Sequence, residues 1–180
     1  MIEPRDMEQL VVRLAEDVRG RYWGKYRGTV DEVLEEDPPG QIRAVVPSVY
    51  GQDVKSPPAL PSLPFAGDGH GLVTLPEVGD GVWIEFEGGN PSFPVWTGFW
   101  FGNGELPSDA GAKKRALITK KNLKLVFDDD GSSIHISHPD GPEITLESSA
   151  LTLKFSDTVK LVLSSSGIDF NGGKFTVSAT

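Results

Sequence analysis

From Leu123 onward the chain repeats one pattern: two or three apolar residues at alternate positions, followed by a turn. The units are Leu123/Leu125/Phe127, Ile134/Ile136, Ile144/Leu146, Leu151/Leu153/Phe155, Val159/Leu161/Leu163, Ile168/Phe170 and Phe175/Val177. Between many of them lie turn residues: Asp128-Asp129-Asp130-Gly131, Pro139-Asp140-Gly141-Pro142, Ser164-Ser165-Ser166-Gly167 and Asn171-Gly172-Gly173. Side chains of a strand alternate between two faces, so each unit reads as a short strand. One face is apolar and the other carries Ser, Thr, Lys and Glu. Seven such strands have no second sheet in the chain against which to bury the apolar face. A meander or a single-chain β-helix fits poorly, because the units are short and no capping element follows them. Strands that wrap with two further copies of the chain into a three-sided prism are permitted by the periodicity. At about 4.8 Å per strand, seven would climb roughly 30–35 Å.

The stretch Leu72–Pro107 obeys a different grammar. Val82-Trp83-Ile84-Glu85-Phe86-Glu87 alternates, with Val82, Ile84 and Phe86 on one face and Trp83 on the other. Gly88-Gly89-Asn90-Pro91 breaks it and suits a hairpin connection. Pro94–Phe101 then runs back, rich in aromatic and β-branched residues that suit a pleated surface. Three of the four tryptophans, Trp83, Trp96 and Trp100, lie in this hairpin. Upstream, Tyr22–Val33 reads as a strand bent at Gly24 and Gly28, and Ile42–Val46 as a strand ended by Pro47. Tyr50–Pro64 reads as a proline-rich loop and Leu72–Leu75 as a further short strand. Five strands with one long interruption fit a Greek-key OB barrel. No strand–helix alternation supports a parallel α/β sheet.

The run PEVGDGVWIEFEGGNPSFPVWTGFWFGNGELP resembles the OB-fold domain of the central spike proteins of contractile tails. These include phage baseplate assembly protein V, the VgrG spikes of type VI secretion and the spikes of extracellular contractile injection systems. The similarity extends to Tyr22–Val30, Gly40–Pro47 and Pro64-Phe65-Ala66-Gly67-Asp68-Gly69-His70-Gly71, and covers roughly the middle half of the chain. It implies an all-β protein: an N-terminal OB-fold barrel, then a C-terminal intertwined triple-stranded β-helix, or β-prism needle, after a short N-terminal helix. The corresponding divisions are 1–20 for the helical segment, 21–107 for the OB domain, 108–122 for a linker or neck, and 123–180 for the needle. The implied function is that of a homotrimeric central spike, which links hub and tube to the tip and pierces a target envelope.

The resemblance also implies partners. VgrG proteins carry a large hub region before the OB domain; here only a short helix precedes it, so the hub is expected as a separate protein on the N-terminal side. A PAAR-repeat tip protein would dock on the terminal residues Phe175, Thr176, Val177, Ser178, Ala179 and Thr180 by continuing the strand ladder. Contact with the target membrane would be transient, on firing. The particle would be a phage tail or a tail-like injection apparatus.

Composition narrows the rest. The net charge of −9 is uneven: residues before Lys113 hold 8 Lys+Arg against 18 Asp+Glu, and the remainder 9 against 8. An acidic barrel is a poor binder of phosphate backbones, so no nucleic-acid partner is expected. The aromatics of an OB barrel can hold a glycan, and an OB-type carbohydrate- or ligand-binding module on a β-stalk is the alternative function. With no positive groove, Trp83, Trp96 and Trp100 read instead as core and intersubunit packing. No cysteine is present for disulfides or zinc. No signal-peptide layout opens the chain, and manufacture in the cytoplasm is expected. Met7, Leu10, Val11, Leu14 and Val18 form a helical stripe that either caps the barrel or docks on a partner.

No catalytic constellation emerges. His70 sits in a glycine-rich turn without a serine nucleophile or an ordered acid, so it reads as a loop histidine and no enzyme is expected. No cofactor is expected either. His135 and His138 read as turn histidines; three copies of His138 on the axis are the one arrangement that could hold an ion. Asp128-Asp129-Asp130-Gly131 has calcium-like character but lacks the other ligands of an EF-hand. Lys113-Lys114-Arg115 and Lys120-Lys121 would ring the neck in three copies.

Overall fold

The computed structural model describes residues 4–35 and 40–178. The chain divides into two compact units, Met1–Gly104 and Glu105–Thr180. The first opens with α1 (Pro4–Arg19), whose apolar stripe is solvent-facing: Leu10, Leu14 and Val18 are each more than half exposed. No helix among the described residues is long and apolar enough to cross a membrane.

Seven strands follow in this unit: β1 (Tyr26–Val33), β2 (Ile42–Val45), β3 (Leu60–Pro61), β4 (Ala66–Gly67), β5 (His70–Gly71), β6 (Gly81–Phe86) and β7 (Pro94–Phe99). The one-turn helix α2 (Pro47–Tyr50) sits between β2 and β3, with Pro47 fixing its first φ. Five of the strands form one sheet in the order β2-β1-β6-β7-β3, an OB-like half-barrel. Its open side is spanned by the segment after α2. Val45 bridges Lys55 and Ile42 bridges Ala59 on one flank, while Leu60 and Pro61 pair with Val95 and Trp96 on the other. Within 50–64, expected as plain loop, residues 55–61 therefore act as the barrel's closing segment. Pro57, Pro58 and Pro61 hide this, because a segment that pairs through single bridges can tolerate missing donors.

The period-2 pattern of β6 fixes the core. Val82, Ile84 and Phe86 point inward and are buried, joined by Val30, Ile42, Ala44, Val46, Ala59 and Trp96. Burying each large side chain contributes about 1.5–3 kcal/mol. Trp96 is 1% exposed and donates its indole N–H to the Gly40 carbonyl at 2.8 Å, so its one polar atom is satisfied. Gly28 admits β1 to this core: a Cβ there would stand 3.1 Å from Ile84 Cγ1 and 3.3 Å from Ala44 Cβ. One end is closed by Tyr22, Tyr26, Tyr50 and Phe86, whose rings meet edge-on or tilted at 5.6–6.1 Å. Burial, then the neighbouring Tyr22, pushes the Tyr50 hydroxyl up to about 12, and it donates to the Pro91 carbonyl.

Two expectations fail here. Leu72–Leu75 forms no strand: Leu72 and Val73 are exposed, and Leu75 rests against Gly40. The pairing in this region lies earlier, in the two-residue hairpin β4–β5. The first strand begins at Tyr26, after Gly24 turns the chain with φ +96°.

The second unit is one antiparallel sheet of eight strands: β8 (Lys114–Ile118), β9 (Lys124–Asp128), β10 (Ser133–Ser137), β11 (Glu143–Leu146), β12 (Ala150–Ser156), β13 (Val159–Ser164), β14 (Gly167–Phe170) and β15 (Phe175–Ser178). They are ordered strictly as in the sequence. A meander, read from the sequence as a poor fit, is thus what one chain forms. Each turn is short enough to return the chain to the adjacent ladder position. β8 also occupies part of the stretch read as neck, because Leu117 and Ala116 continue the alternation across Leu125 and Val126.

Candidate interaction surfaces

The register of this meander sorts its side chains into two faces. Directly paired residues share a face, and the pairs run Leu117–Leu125–Ile136–Ile144–Leu153–Leu161–Phe170–Phe175 from edge to edge. A second ladder, two positions along each strand, runs Phe127–Ile134–Leu146–Leu151–Leu163–Ile168–Val177 on the same face. Fifteen apolar side chains thus lie on one side of the sheet, with no second layer over them among the described residues of this unit. Phe127, Ile136, Leu146, Leu153 and Phe170 are each about two-fifths exposed. The face is concave, with a groove of about 830 Å³ lined by residues that include Leu123, Leu125, Phe155, Leu161 and Phe170.

The opposite face is mostly polar, interrupted by Ala116, Val162 and the buried Val126. Lys154 lies 3.1 Å from Glu143 and 3.2 Å from Asp157, and these partners hold its ammonium above the usual lysine range. His135 is a strand residue, not a turn residue. Its ring nitrogens lie 2.9 Å from Ser133 Oγ and 3.4 Å from Thr145 Oγ1. His138 opens the turn after β10, where its Nδ1 accepts the Asp140 N–H at 3.2 Å, and its side chain lines the rim of the apolar groove. Among the described residues, no three His, Asp or Glu side chains cluster as a metal site.

Two charge runs singled out separately in the sequence neutralise each other. Lys113 pairs with Asp130 at 2.7 Å, Lys114 with Asp128 at 2.9 Å, and Arg115 with Asp129. The hairpin β8–β9 brings them together, since Lys114 and Asp128 are register partners. The N–H groups of Asp130 and Gly131 also bond Asp128 Oδ1. The Gly131 N–H first, then Lys114, holds the Asp128 carboxyl below its ordinary value. The acidic turn is an ion-paired clasp for the first strand of the meander.

On the outer wall of the barrel, Arg27 of β1 lies beside Trp83 of β6 in register. Its guanidinium stands 5.6 Å from the Trp83 ring centroid and 5.2 Å from that of Trp100. The residue after β7, Trp100, is fixed by its indole N–H to the Val82 carbonyl (3.1 Å) and by contact with Gly81, where a Cβ would fall 2.7 Å from the ring. Lys25, on the same wall, pairs with Glu85 at 3.3 Å and donates to Thr97 Oγ1 at 2.9 Å. Of the three hairpin tryptophans, only Trp96 is core. His70 folds over its own hairpin, its ring 5.2 Å from that of Phe65, with Nδ1 3.0 Å from the Asp68 carbonyl.

Residues 26–101, from the first residue of β1 to just past β7, match the family model of the type VI secretion system/phage-baseplate injector OB domain. Over this span the barrel is similar to a baseplate-injector OB domain. A comparison with curated proteins found no match. The injector OB domain is a structural module, and its presence implies association with a phage or secretion-system baseplate assembly. The meander lies outside the matched residues.

Proposed function

We propose that this chain is the homotrimeric central spike of a contractile baseplate, with the injector OB domain toward the hub and tube and three meanders closed around their apolar faces as the needle. The observation that supports this is the uncovered double ladder from Leu117 to Val177. So large an exposed apolar face drives association in water, and three copies around one axis would bury it. The strands from β8 to β15 pair with their sequence neighbours within one chain, and only β8 and β15 keep a free edge. Each chain therefore supplies one side of the prism, rather than threading its strands between those of the others. The role is mechanical: a stiff needle joined to the tube and driven through a target envelope, touching the membrane only on firing.

Two further contacts belong to this reading. The exposed stripe of α1 is the surface for a separate hub protein. The outer edge of β15 is the docking edge for a PAAR-repeat tip protein, through Phe175, Thr176, Val177 and Ser178; Ala179 and Thr180, assigned to the same contact, lie outside the described residues. Light scattering at micromolar concentration tests the core of the reading. Three chain masses are expected, and a well-folded monomer would overturn it.

A further inference from the structure

Arg27 is a prepared cation with no anion. Arg21 donates to the Gly88 carbonyl, Arg43 lies 3.7 Å from Glu32, and Arg115 pairs with Asp129. Arg27 has no such partner among the described residues, although the barrel around it is strongly acidic. Its guanidinium is stacked instead on two indoles held by backbone constraints, the Gly81 contact and the register shift between Val82 and Ile84. Stacking orients a guanidinium by its faces and leaves its N–H edge free, the geometry that binds a carboxylate through two parallel hydrogen bonds.

A carboxylate with the complementary deficit lies on the β4–β5 hairpin. Asp68 is at its apex, exposed, with no cation paired to its side chain among the described residues. The His70 ring braces the hairpin: it covers Gly67, where a Cβ would fall 2.5 Å away, and lies against Phe65. Its flanks carry exposed Phe65, Leu72 and Val73, apolar surface suited to lying on another protein. An arm with an unpaired acid and a wall with an unpaired base, on a chain whose copies gather around one axis, make a head-to-tail contact that repeats round a ring.

We infer that Arg27, clamped by Trp83 and Trp100, is the receptor on one OB domain for the Asp68 carboxylate of a second copy of this chain. The inference rests on the trimeric reading and adds to it a contact between barrels that is independent of the needle. It is tested in the full-length chain with Arg27→Glu, Asp68→Arg and the double exchange. Dissociation is followed by light scattering on dilution, in enough urea to half-dissociate the unmodified protein at micromolar concentration. Both side chains are exposed, so neither change threatens the fold.

Each single change should raise the dissociation concentration by about tenfold or more, and the double exchange should return it to within about threefold. Arg27→Lys should lie between, since it keeps charge but loses the flat fork. An effect of Arg27→Glu alone, with Asp68→Arg silent, would overturn the pairing, as would a double exchange no better than the worse single. A monomeric unmodified protein would overturn the trimeric reading itself; a trimer indifferent to both changes overturns only this inference.

Discussion

Leu153→Asp tests the proposed trimer where the geometry of the apolar face is most explicit. Leu153 sits mid-ladder between Ile144 and Leu161 and is 39% exposed in the single chain. About two-fifths of the side chain is therefore left for assembly to bury, roughly 1 kcal/mol per copy on the scale of 1.5–3 for a whole leucine. A carboxylate there forfeits that and must also leave water for an apolar interior, which costs several kcal/mol per ion. Over three copies the loss is about 10 kcal/mol or more, roughly seven decades in an association constant. Because Leu153 is not needed to cover anything within its own chain, the variant should be a folded monomer. Lys154→Gln, one residue on and facing away, is the control; aspartate would crowd Glu143 and Asp157 and is the wrong choice. Light scattering together with circular dichroism reads both. The same mass for both variants, trimeric or monomeric, would show that the ladder face does not drive assembly.

Other outcomes follow from the barrel and the clasp. Gly28→Ala should lower the unfolding free energy by about 1–3 kcal/mol, because the new methyl meets Ile84 and Ala44 within a packed core; chemical denaturation followed by circular dichroism measures it. Trp96→Phe leaves the Gly40 carbonyl without its indole donor and opens space beside Ile84, so a loss of about 2–4 kcal/mol is expected in the same assay. Asp128 has a depressed folded pKa, so its stabilising contribution is complete above its unfolded value of about 3.9 and fades as pH falls below it. Asp128→Asn should therefore be less stable than the unmodified chain at neutral pH and show a shallower decline in melting temperature below about pH 4.

What could be read from sequence was what depends on local alternation. The inward set Val82, Ile84 and Phe86 and the apolar ladders from Leu125 onward follow from period 2, because a strand has only two faces to offer, whereas Leu117 lay in a stretch read as neck. Leu72–Leu75 misleads by composition. Its apolar residues are mostly exposed, and Leu75 answers to Gly40, more than thirty positions earlier. The closing segment 55–61 was invisible for the opposite reason, since its prolines deny the look of a strand while its few bridges still join β2 to β7. The clasp had a legible signal: Lys113-Lys114-Arg115 and Asp128-Asp129-Asp130 flank the turn at 119–122, with opposite charge on each side. The Arg27 clamp had none, because Trp100 reaches it only after β7 shifts register against β6.

Strict nearest-neighbour order in the meander makes its height a matter of counting. Each hairpin closes its ladders with the strands just before and after it in the chain, so contacts are local and the sheet can zip up progressively, a favourable topology for fast folding. Two strands more or fewer leave every remaining strand facing the same way, because an antiparallel pair restores chain direction and leaves the apolar ladders continuous. Such an insertion would extend the sheet by about 9–10 Å along its hydrogen-bonding direction without changing either face. The length of this sheet can thus be set in whole hairpins, as a ruler is cut at its marks.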